Sequence, residues 1–126
     1  LKKNKLKYNI IENCNDLSEL MYKADLAISA GGMTCLELAA IGTPFLGFGT
    51  ASWEIKRLKE LEGLRICKYI DDKDSFDEQK LNNEFNNLLN DKKERENMSK
   101  NGKRLTDGKG IERIAKIIMD VVKNGN

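Results

Sequence analysis

Gly31-Gly32-Met33-Thr34 stands between a short apolar run and a helical segment. Paired glycines let a backbone approach a ligand closely. Free amides at a helix start, reinforced by the helix dipole, favour an anion such as a diphosphate. Thr34 adds a hydroxyl donor. The same residues also suit a tight structural turn, and they match neither the dinucleotide fingerprint nor the P-loop. Glu37 follows Thr34 by three residues. Its carboxylate can accept hydrogen bonds from two neighbouring sugar hydroxyls, or Thr-x-x-Glu can serve as a capping box. A carboxylate beside a phosphate site must face hydroxyls instead, which makes ribose a sensible partner.

Other chemistry is narrowed by what the chain lacks. It has no histidine, so it supplies neither the commonest general base nor a Cys–His or Ser–His–Asp nucleophile system. Cys14, Cys35 and Cys67 are odd in number, far apart and free of any Cys-x-x-Cys pair, so neither a disulfide framework nor a zinc site is expected. A reducing, cytoplasmic setting is the simpler reading. Lys and Arg total 22 against 20 Asp and Glu, a net charge of +2 that argues against a nucleic-acid binder. No apolar run approaches the ~20 residues of a membrane span.

These residues need elements to position them, and 126 residues suffice for one domain. The chain begins with Leu1 and shows no signal-peptide core, so a piece of a longer chain is expected. A solvated basic lead carries Lys2, Lys3, Lys5 and Lys7. Tyr8, Asn9, Ile10 and Ile11 read as a short strand. Asp16 caps a helix over 17–23, with Leu17, Leu20 and Met21 at i, i+3 and i+4. Buried strands follow at 26–29 and 45–48, with a helix over 34–41 stopped by Gly42 and Pro44 between them. A helix over 53–61 and a strand over 65–70 complete the alternation, the signature of βαβ units and a parallel sheet. The second half is helical. Ser75 and Glu78 form a capping box before a helix bearing Leu81, Phe85, Leu88 and Leu89. A charged, exposed helix covers 91–101. After a turn at 106–110, Ile111, Ile114, Ala115, Ile118 and Val122 make the stripe of a last helix.

The run Ala24-Asp25-Leu26-Ala27-Ile28-Ser29-Ala30-Gly31-Gly32-Met33-Thr34, continued by Glu37, Gly42 and Pro44, resembles the donor-binding domain of GT-B nucleotide-sugar enzymes. It is most similar to the pseudaminic-acid-pathway UDP-sugar hydrolase and spore-coat polysaccharide group, itself related to the lipid II-forming N-acetylglucosaminyltransferase. Asp107-Gly108-Lys109-Gly110 resembles the segment before that group's last helix. The resemblance implies an α/β fold: a Rossmann-like parallel sheet with flanking helices, lacking its first strands, and a helical C-terminal part. It implies one partial donor domain over 1–126. In that family, the positions of Gly31, Gly32, Met33 and Thr34 cradle the UDP phosphates and the position of Glu37 meets the ribose. Asn13, Cys14 and Asn15 match the loop that holds the uracil edge, although Cys14 also suits a plain loop thiol.

Two departures bound what is carried over. Relatives place an Asn-Gln pair against the donor sugar where this chain has Trp53 and Glu54. Ser52 and Glu54 are the candidate sugar contacts, with Glu54 also a candidate base. Ser52 alternatively caps the next helix, and Trp53 either stacks on a sugar or, as favoured, joins the core. The family's enzymes also close their active site with an N-terminal domain, which supplies an essential histidine in the hydrolase branch. The implied partners are therefore a UDP-sugar and that catalytic domain or a partner chain, with no metal and no cofactor. Binding without turnover is expected of this chain alone. The competing expectation is an inert module that binds a protein, such as the other half of a split enzyme, through an exposed edge strand.

Overall fold

Strand and helix alternate from Leu17 to Asp72, before three successive helices, in the computed structural model, which describes residues 7–125. Lys2, Lys3 and Lys5 of the expected basic lead lie outside the described residues. The elements are α1 (Leu17–Lys23), β1 (Ala27–Ala30), α2 (Met33–Ile41), β2 (Phe45–Gly49), α3 (Ser52–Gly63), β3 (Cys67–Asp72), α4 (Glu78–Asn90), α5 (Lys92–Leu105) and α6 (Gly110–Asn124). The strands form a parallel sheet in the order β1-β2-β3. Phe45 pairs with Ala27 on one side and Cys67 on the other.

Side chains alternate across the pleat, so each strand feeds two cores. Phe45 and Cys67 point into a cluster with Cys35, Leu38, Leu58 and Leu61 from α2 and α3. Leu46 and Ile70 point to the other face, where Leu88 of α4 and Met98 of α5 cover them. That second layer stops short of β1, whose Ile28 is 48% exposed. α2 ends where expected: Gly42 takes φ +85°, a left-handed cap that glycine adopts without steric cost, and its amide bonds back to Leu38 and Ala39.

Several sequence expectations are corrected. Residues 8–11 form no strand; they make no ladder bonds, and Tyr8 and Ile10 are about four-fifths exposed (80% and 77%). A strand needs an edge to pair with, and here that segment pairs with none. Both β1 and β3 are edges of the sheet among the described residues, and β1 is only four residues long. The cap of α4 is Asp77, which accepts from the amides of Gln79 and Lys80, and not Ser75. Ser75 instead turns back to the carboxylates of Asp71 and Asp72. α5 is not a purely exposed helix. It buries Met98 and Gly102, and a Cβ at Gly102 would lie 2.6 Å from the Ala39 carbonyl oxygen, so only glycine lets α5 approach α2 this closely. α6 carries the expected apolar stripe but buries no residue.

Candidate functional site

In an open parallel sheet, the loops beyond the carboxyl ends of the strands are where ligands bind. Here those loops are residues 31–32, running into α2, residues 50–51, running into α3, and residues 73–77, running into α4. α2 opens at Met33 with Gly32 as its cap and no side chain capping it. The helix therefore starts one residue earlier than expected, and the Thr34–Glu37 capping box is not formed. Thr34 lies in the first turn, and Glu37 is exposed in the second. The amides of Gly32, Met33 and Thr34 donate to no other described residue.

Glu37 faces the turn between α5 and α6. It lines a groove of ≈ 440 Å³ with Met33, Asp107, Gly108, Gly110 and Arg113. Two stretches far apart in sequence, 33–37 and 107–113, thus meet. Asp107 accepts from the Lys109 amide (3.0 Å) and pairs with Arg113 (2.7 Å). The Arg113 bond, then the amide, holds its carboxyl below the usual carboxylate range.

The first turn of α3 packs against the glycine loop, apart from that groove. Glu54 is nearly buried, and its Oε2 accepts from the amide (2.8 Å) and the hydroxyl (2.6 Å) of Thr50. Those two bonds, hydroxyl first, lower the Glu54 pKa and keep it ionised. Gly31 packs against this turn; a Cβ there would lie 2.8 Å from Glu54 Cβ. Ser52 is the first residue of α3 and exposed, and the cap is Ala51, without a side-chain bond, so Ser52 does not cap the helix. Trp53 is 56% exposed and outside the core, contrary to expectation. Its ring carries the Arg57 guanidinium 5.1 Å from the centroid. The physical reason is its place: the second residue of a helix whose inner face is taken by Glu54, Leu58 and Leu61.

Arg57 was not singled out from the sequence. Its Nη1 donates to the Gly31 carbonyl at 3.1 Å, joining α3 to the glycine loop. The available signal was Trp53-x-x-x-Arg57, a spacing that stacks the two on one helix face. Asn13, Cys14 and Asn15 lie in the exposed approach to α1, with Asn13 left-handed at φ 52°. Among the described residues no hydrogen bond joins them to residues 31–34. Cys35 and Cys67 are buried and free. Burial pushes both thiols up, Cys67 to about 12, so neither is a thiolate at neutral pH. Among the described residues no group of three or more Cys, Asp or Glu could hold a metal ion, and no helix is long and apolar enough to cross a membrane.

The family model for the glycosyltransferase family 28 C-terminal domain matches residues 1–114. The spore coat polysaccharide biosynthesis protein SpsG of Bacillus subtilis (strain 168) is 29% identical over 117 residues, covering 93% of this chain and 34% of that protein. The UDP-N-acetylglucosamine–N-acetylmuramyl-(pentapeptide) pyrophosphoryl-undecaprenol N-acetylglucosamine transferase of Acetivibrio thermocellus is 31% identical over 121 residues, covering 92% of this chain and 32% of that enzyme. The chain spans about a third of the length of these curated relatives. No solved structure gives a significant match. By the extent of the family match, with a parallel α/β sheet of the kind the family's C-terminal domain requires, the chain belongs to the glycosyltransferase family 28 C-terminal domain family.

Proposed function

We propose that this chain is the UDP-sugar-binding portion of a nucleotide-sugar enzyme, a glycosyltransferase or hydrolase acting at the anomeric carbon in surface-glycan synthesis in the cytoplasm. One observation carries the reading: among the described residues, the amides of Gly32, Met33 and Thr34 have no partner at the start of α2, beside the carboxyl end of β1. Such amides suit a diphosphate, and in catalysis they would stabilise UDP as it leaves. Glu37, exposed and committed to no hydrogen bond among the described residues, takes the ribose hydroxyls. Residues 13–15 take the uracil edge. Ser52 and Glu54 take the donor sugar, with Glu54 ionised and therefore able to accept hydroxyl protons in hydrogen bonds.

The remaining machinery belongs to an N-terminal catalytic domain or a partner chain. That part supplies a histidine base, which this chain lacks, and covers the acceptor side. The bare stripe of α6 and the open edge of β1 favour the same conclusion, and they equally favour the second reading: a catalytically inert module that binds a partner protein.

The ribose role distinguishes the readings. UDP and 2′-deoxy-UDP are titrated into the wild-type chain and into Glu37→Ala. Wild type is expected to prefer UDP about tenfold, and the variant to lose that preference. Equal binding of UDP by both proteins contradicts the ribose role. No binding by wild type, with self-association or capture of one defined partner, favours the inert module.

A further inference from the structure

We infer that Arg57 is a positioning residue that locks the peptide between Gly31 and Gly32, so that the Gly32 amide faces the ligand side of the loop. The inference rests on the reading of residues 31–34 as a diphosphate cradle. Gly31 must be glycine because α3 leaves no room for a side chain: Cβ would meet Glu54 Cβ at 2.8 Å and the Glu54 carbonyl oxygen at 2.9 Å. Two glycines in a row bring freedom with them. Neither has a Cβ to oppose rotation of the shared peptide plane, so the loop alone does not decide which side its N–H points to.

Arg57 removes that freedom. Its Nη1 holds the Gly31 carbonyl at 3.1 Å. The described peptide bonds are all trans, so the Gly32 N–H points away from that carbonyl and away from Arg57. The next carbonyl, that of Gly32, is also occupied, by the Cys35 thiol at 2.9 Å. Both acceptors of the loop are thus tied back into the protein, and the donors are left over. The guanidinium is itself held, lying 5.1 Å from the centroid of the exposed Trp53 ring. Its charge also offsets the Glu54 carboxylate, whose Oε1 lies 3.7 Å from where a Gly32 Cβ would be. Without that offset, the carboxylate would oppose an anion on the same loop.

The test uses the ¹⁵N-labelled 126-residue chain as wild type, Arg57→Ala, Arg57→Gln and Arg57→Lys. Amide relaxation dispersion is recorded without ligand, and UDP is then titrated. Loss of the tie in the Ala and Gln variants is expected to broaden Gly32 and Met33 by exchange and to weaken UDP about tenfold. Lys keeps a charged donor but not the planar fork that stacks on Trp53, so it is expected to narrow the lines and recover affinity only in part, between Ala and wild type. A purely structural role would lower the melting temperature without moving these two resonances. Unchanged Gly32 and Met33 lines in Arg57→Ala or Arg57→Gln overturn the inference. Should wild type fail to bind UDP, the proposed function falls, while the relaxation data still decide the role of Arg57.

Discussion

α2 and α6 are both rich in apolar residues, yet one buries a face of three residues and the other buries nothing. α2 has no clear polar face; it lies between the sheet and α5, and Cys35, Leu38 and Ala39 are almost fully enclosed. α6 has a clean stripe of Ile111, Ile114, Ile118 and Val122, each at least 58% exposed. The contrast teaches that helical periodicity announces a face meant to be covered without saying what covers it. A helix apolar all round is the one already surrounded. The site sits at the start of the surrounded helix, where packing fixes the backbone.

Breaking the buried side of the comparison has the largest effect. Leu38→Ala removes a side chain that is 2% exposed and is expected to cost about 2–5 kcal/mol, measured by urea unfolding. A loss below about 1 kcal/mol would mean that α2 is not packed as described. Gly31→Ala comes next. The added methyl meets α3 at 2.8 Å, so a cost of about 1–3 kcal/mol is expected, with the loop displaced.

Acid titration probes the same first turn of α3. The native Glu54 pKa is depressed below its ordinary value of 4.5, chiefly by the Thr50 hydroxyl. A depressed carboxyl contributes stability above its unfolded value and loses it as pH falls through the native one. Stability of wild type should therefore drop below pH 4.5, and Glu54→Gln should flatten part of that drop. The drop will not vanish, because Asp16, Asp71, Asp72 and Asp107 are lowered too, each mainly by a hydrogen bond. An identical acid limb in the variant would show that the Thr50–Glu54 pair carries no weight. The smallest effect belongs to α6. Ile114→Asn with Ile118→Asn should change the unfolding free energy of this chain by no more than about 0.5 kcal/mol, because neither side chain is buried. A larger loss would mean that the stripe is covered after all.

The sequence showed these two regions with different clarity, for physical reasons. β1, β2, α1 and α2 were legible because apolar runs, an Asp cap and the Gly42–Pro44 stop are local signals, each pointing the same way. The Tyr8–Ile11 segment misled because its residue types report strand propensity, whereas a strand exists only where an edge accepts it. Ser75 misled because Asp77 sits two residues nearer the helix and takes its first amides, while Asp71 and Asp72 hold the serine hydroxyl. Within the site, Gly31–Thr34 and Glu37 stood out by type and spacing. Arg57 and Thr50 did not, since their importance arises from contacts with Gly31 and Glu54. The meeting of Glu37 with Asp107 and Arg113 was equally invisible, depending on how α5 folds back across α2.

The most direct measurement is a calorimetric titration of this chain with UDP, using CMP as the control. Saturable binding of UDP with CMP at least tenfold weaker (about 1.4 kcal/mol) is the predicted result. Equal binding of the two nucleotides, or none of either, would contradict the account of residues 31–37 as a UDP site.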